Sequence, residues 1–106
     1  MALEVLVLRV IAMDRERHAP GPEASLLKLR GSQIQQMISE LAMEALGPYA
    51  PLHQPQALAA DWMHAVAGPP AGIGVTGRYL NHRKVSIYAG SNEIQRNIIA
   101  RHLLGL

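Results

Sequence analysis

A chain of 106 residues with no cysteine, no phenylalanine and one tryptophan has room for a single domain with an aliphatic core. It excludes disulfides, thiolate metal sites and thiol catalysis. Apolar residues at 49% and charged residues at 17% exclude a disordered chain, and so little charge implies that a partner covers part of the surface.

The first segment, residues 2–18, reads as a helix. Leu3, Leu6, Val7 and Val10 recur at three- and four-residue steps, Val5, Leu8 and Ile11 widen the stripe, and the polar residues gather at the end, from Asp14 to His18. Such an apolar helix is expected to be buried over most of its circumference. It is not a secretory signal, because Glu4 and Arg9 interrupt it and no basic segment precedes it. Nothing approaches the ~20 apolar residues needed to cross a bilayer. A cysteine-free chain is compatible with a reducing compartment, and the expected location is cytoplasmic.

Pro20-Gly21-Pro22 ends that helix, and Pro22 suits the first turn of the next. Residues 22–46 form the clearest helix. Leu27, Ile34, Met37, Ile38, Leu41, Ala42 and Ala45 mark its expected buried face, while Lys28, Gln35, Gln36, Glu40 and Glu44 lie off it. Gly31 inside it suggests close helix packing, and Gly47-Pro48 is a strong stop. The short break predicts that the two long helices run antiparallel.

Residues 48–75 form a Pro/Gly-rich connection, with a short helix expected over 56–66 from Leu58, Trp62 and Val66. Thr76 is positioned to cap a third helix running to about Tyr88. Gly90 ends it, and Ser91 caps a fourth helix whose expected buried stripe is Ile94, Ile98, Ile99 and Leu103, with Gly105 as its terminator. The pattern predicts an all-α fold, a four-helix up-and-down bundle forming one helical domain over residues 1–106.

Three stretches carry a resemblance. Pro20-Gly21-Pro22-Glu23-Ala24-Ser25-Leu26-Leu27-Lys28-Leu29-Arg30-Gly31, Leu41-Ala42-Met43-Glu44-Ala45-Leu46-Gly47-Pro48 and the segment 87–106, with Ile87-Tyr88-Ala89-Gly90-Ser91-Asn92-Glu93-Ile94-Gln95-Arg96, resemble in order and spacing the C-terminal helical domain of a bacterial branch of acyl-CoA dehydrogenases. The resemblance implies a C-terminal four-helix bundle preceded in the family by a helical and a β domain, of which this chain would be an incomplete last part. It implies a cofactor, FAD, held between the β domain and the bundle and completed by a neighbouring subunit. It implies oxidation of acyl-CoA thioesters to enoyl-CoA, and a homo-oligomer or a partner subunit carrying the remaining domains.

Ser91, Asn92 and Glu93 match the family's FAD-contacting loop, and a helix N-terminus there suits an electron-rich or phosphorylated ligand. Glu44, Ala45, Leu46, Gly47 and Pro48 match a second contact that reaches the FAD of a partner subunit. The family's catalytic glutamate does not carry over: Ala89 stands at its position, and a methyl group accepts no proton. The base would then lie on other polypeptide, and the isolated chain is expected to be inactive.

Other chemistry is thinly supported. No two of the histidines 18, 53, 64, 82 and 102 stand three or four residues apart, and Asp61 with His64 offers too few ligands for a metal. No serine sits in a nucleophile elbow, and the stretch 68–74 lacks the Lys-Ser/Thr of a phosphate loop. From Thr76 onward Arg78, Arg83, Lys84, Arg96 and Arg101 face only Glu93, so this third suits a polyanionic partner or a solvated face. Two alternatives to the flavoenzyme reading are a non-catalytic helical oligomerisation module and a basic helix-turn-helix that binds DNA through Arg96 and Arg101. The second is disfavoured, because Ile94, Ile98, Ile99, Leu103 and Leu104 leave little polar face for a groove.

Overall fold

Residues 1–15 and 21–105 are described in the computed structural model, and every regular element in them is helical. The α-helices are α1 (Ala2–Arg15), α2 (Pro22–Leu46), α3 (Val75–His82) and α4 (Asn92–Leu104). Single 3-10 turns stand at Gly47–Tyr49, Pro55–Leu58, Pro70–Gly72 and Arg83–Ser86. The all-α expectation is met. Pro22 opens α2, and the chain leaves α2 at Gly47, as their chemistry requires. The expected polar end of the first helix at residues 16–18, and Pro20 in the break after it, lie outside the described residues.

The chain divides into two compact units. One comprises Met1–Gln33 with Ser86–Leu106, the other Ile34–Val85. In the first, α1 half-buries Leu3, Leu6, Val10 and Met13, a three-four-three spacing along one side. Val5, Leu8 and Ile11 stay exposed, and no α1 residue is buried. The expectation of near-complete burial is therefore corrected: one flank of α1 is covered and the other is not.

The face of α2 that turns inward is also not the expected one. Ser25, Ser32 and Ser39 are buried, seven residues apart, with Leu29, Gln36, Met43 and Leu46 half-buried on the same seam. Seven residues are nearly two helical turns, so these side chains form one stripe. The apolar set Ile34, Met37, Ile38 and Leu41 is exposed, Ile38 at 62%. Hydrogen bonding decides the rotation. Asn92, at the start of α4, is buried, and its Oδ1 accepts from Lys28 Nζ at 2.8 Å and from Ser32 Oγ at 3.0 Å. A buried amide without partners costs about 1–3 kcal/mol, so the polar residues of α2 face it.

The same anchor rotates α4. Asn92, Gln95, Ile99 and Ala100 are its covered side. Ile94 and Leu103 are exposed at 54% and 71%, and Ile98 is exposed as well. Of the expected buried stripe, Ile99 alone is covered. The helix ends as expected: Gly105 takes the left-handed conformation at φ 68°, and its N–H donates to the Arg101 carbonyl.

In the second unit, Gln36 and Arg83 hold each other's backbone. Gln36 Nε2 donates to the carbonyls of His82 at 3.4 Å and Arg83 at 3.2 Å. Arg83 Nη2 donates to the Gln36 carbonyl and to Ser39 Oγ, both at 3.1 Å. The Arg83 guanidinium also lies 4.3 Å from the centre of the Tyr79 ring. Gln36 thus satisfies carbonyls that the end of α3 leaves without helical partners. This accounts for the third helix stopping at His82 and tightening into the Arg83–Ser86 turn, not running to Tyr88. Val85, 4% exposed, is the buried hydrophobic residue here.

Two further expectations are corrected in this unit. Thr76 does not cap α3; Gly74, in the left-handed conformation, occupies that position. The Thr76 hydroxyl donates to the Ala50 carbonyl, with Met43 Sδ at 3.4 Å. No helix spans 56–66. The chain makes one 3-10 turn, Pro55–Leu58, and becomes extended at Ala59. Gln54 closes the loop instead, its amide bonded to both the N–H and the carbonyl of Ala67, at 2.9 and 3.0 Å. Those side-chain bonds replace helical ones.

Gly31 is not a packing residue, since a Cβ built there meets nothing within 4 Å. Gly31→Ala is therefore expected to raise stability by about 0.5–1 kcal/mol, read as a higher midpoint in thermal or urea unfolding. Asn92→Ala is expected to cost about 1–3 kcal/mol in the same assay, because it removes the shared acceptor that ties Lys28 and Ser32 of α2 to the start of α4. Asn92→Asp keeps an acceptor and is expected to cost less.

Candidate functional site

The corner between Ser86 and α4 is built from two successive left-handed residues. Ala89 has φ 55° and Gly90 φ 82°. Glycine adopts this geometry freely, whereas alanine incurs roughly 1–2 kcal/mol. These two residues lead into Ser91, which is in extended conformation (φ −62°, ψ 157°), the geometry of an N-cap. Ser91 Oγ accepts from the Ile94 N–H at 3.4 Å, so the expected cap is present. Ala89 and Gly90 are exposed and Ser91 is half-buried, which leaves the corner open to solvent.

Three neighbouring residues at this corner have three different surroundings. Ser91 caps the helix. Asn92 turns inward to Lys28 and Ser32. Glu93 turns outward, exposed, 3.5 Å from Arg96. The Glu93 carboxyl is held below the ordinary glutamate value, first by its own backbone N–H, then by the Ser91 hydroxyl, with the charges of Arg96 and Lys28 adding to the effect. Its carboxylate thus persists to lower pH than that of a free glutamate. The first turn of α4 is accordingly less open to an anion than a bare helix N-terminus. The Ile94 and Glu93 N–H groups have internal acceptors, and a carboxylate stands beside them. What remains suits a neutral hydrogen-bonding edge better than a phosphate.

The second group of expected site residues lies in the other compact unit. Glu44, Ala45, Gly47 and Pro48 are exposed, and Leu46 is half-buried against Gly72. Gly47 has φ 52° and starts the 3-10 turn that ends α2. Ala89, exposed at the corner, carries a methyl group, which takes no proton. Lys28 and Ser32 also belong to the corner, through their bonds to Asn92. The seven-residue spacing of Ser25, Ser32 and Ser39 was the available signal; without a known partner it reads as incidental polarity within an amphipathic helix.

No helix among the described residues is long and apolar enough to cross a membrane. No curated protein matches the chain. The family comparison does give a match, to the acyl-CoA dehydrogenase C-terminal domain over residues 1–104. That span takes in α1, the inward serine seam of α2, the open corner at Ala89-Gly90 and all of α4, and with it this all-helical chain belongs to the acyl-CoA dehydrogenase C-terminal domain family.

Proposed function

We propose that the chain serves as the C-terminal helical part of an FAD-dependent acyl-CoA dehydrogenase-type oxidoreductase in the cytoplasm. Ser91, Asn92 and Glu93 would supply one set of FAD contacts, and Glu44, Ala45, Leu46, Gly47 and Pro48 a second set that reaches cofactor held largely by another subunit. The observation that carries this reading is the family match over residues 1–104 on a chain whose Gly90-Ser91 corner is open. When bound, FAD accepts the hydride removed from the acyl thioester. The residues of this chain bind and orient. The Ser91 cap and the buried Asn92 hold the first turn of α4 rigid, and the solvent side of that turn suits neutral groups of the flavin. Ala89 cannot remove the α proton, so the isolated chain does not dehydrogenate acyl-CoA.

The exposed apolar stripes support an oligomer. Ile34, Met37, Ile38 and Leu41 on α2, with Val5, Leu8 and Ile11 on α1, form apolar faces of the kind that mark protein interfaces. The same observation is what favours the second reading, a non-catalytic helical oligomerisation module. Exposed Ile94, Ile98, Leu103 and Leu104 on α4 fit a protein partner better than a nucleic-acid groove.

Titration of the labelled full chain with FAD, followed by amide resonances, separates the two readings. Saturable shifts at residues 44–48 and 90–93 are expected; shifts absent there, or turnover of acyl-CoA by the chain alone with an electron acceptor, would overturn the proposal. Sedimentation across a concentration series is expected to show self-association that Ile38→Lys weakens. A monomeric mass at every concentration would refute the oligomer.

A further inference from the structure

Within the Ile34–Val85 unit, α3 and the loop at residues 52–58 border an open-sided hollow of about 470 Å³, a size that holds a small organic ligand. Its polar lining falls into two groups. Gln54 and Thr76 are engaged inside the protein, Gln54 with Ala67 and Thr76 with Ala50. His53, Arg78, Asn81 and His82 are not: among the described residues none of their side chains has a hydrogen-bond or ion-pair partner. Arg78, Asn81 and His82 stand at i, i+3 and i+4 on α3, so they share one face. Nδ1 of His82 is buried with no partner. No Asp or Glu lines the hollow, so an arginine and two imidazoles meet there unopposed. Leu52 and Leu58 add an apolar wall.

We propose that this hollow binds a small amphipathic anion, a phosphate or carboxylate head on a short apolar body, with Arg78 holding the head and the two leucines covering the body. A guanidinium offers a planar fork of donors that pairs bidentately with either head group, and the partly enclosed setting strengthens such charge-assisted bonds. Asn81 and the imidazoles supply further donors. The site is independent of the flavin reading: neither residues 44–48 nor residues 89–93 line it.

The test titrates the labelled full chain with butyl phosphate, hexanoate and neutral hexanol. Saturable amide shifts at Gly77, Arg78, Asn81 and His82 are expected with the anions and not with hexanol. The anion that binds tighter identifies the head group. Arg78→Gln, at an exposed position without internal bonds, is expected to weaken anion binding about tenfold or more. Arg96→Gln, outside the hollow, is expected to leave binding unchanged. Hexanol binding as tightly as the anions, equal loss in both variants, or no saturable shift on α3 would overturn the proposal. FAD-induced shifts at residues 90–93 bear on the flavin reading alone, so the two can fail separately.

Discussion

One buried amide sets the rotation of two helices. Asn92 Oδ1 accepts from Lys28 and Ser32, and that arrangement is possible only if α2 turns its polar seam toward α4. An apolar side chain loses a graded amount when it stays in water. A buried amide left unpaired loses most of a strong interaction at once. The directional group therefore wins the orientation, and the apolar stripe of α2 takes the side that remains. The serines assist because they are small and their hydroxyls bond locally, as Ser39 does to the Gln36 carbonyl.

The second compact unit rests on the same kind of device. Gln36 and Arg83 each bond the other's backbone, and Gln54 does the same for Ala67. Side-chain amides and a guanidinium stand in for regular hydrogen bonding wherever proline and glycine prevent a longer helix. The Thr76 hydroxyl is recruited to the Ala50 carbonyl for this purpose, which leaves Gly74 to open α3. Local polar anchors thus do for this unit what a large hydrophobic core does in longer domains.

The consequence for function is a chain with apolar faces to spare and an open corner. The chain belongs to the acyl-CoA dehydrogenase C-terminal domain family, its turn at Ala89-Gly90 is exposed, and both long helices carry exposed apolar stripes. The alanine at position 89 carries no group that could take a proton. The persistent charge of Glu93 narrows what the corner favours toward neutral hydrogen-bonding groups.

The boundaries of α2 and α4 were legible from local chemistry, whereas those of α3 were not. Pro22 at the first position of α2, Gly47-Pro48 after it, Ser91 as a cap and Gly105 as a terminator act through dihedral limits and short-range hydrogen bonds, which the residue itself carries. The family resemblance was legible for the same reason, as an ordered string of such residues. The covered side of α1 was largely legible, in Leu3, Leu6 and Val10, but the faces that α2 and α4 bury were not. Periodicity separates apolar from polar stripes but cannot say that a buried Asn92 will summon Lys28, sixty-four positions earlier in the chain. Likewise, Arg78, Asn81 and His82 meet His53 only once the loop at 52–58 is in place. Those outcomes belong to the tertiary structure, because directional bonds between distant residues form only after the chain has brought them within reach.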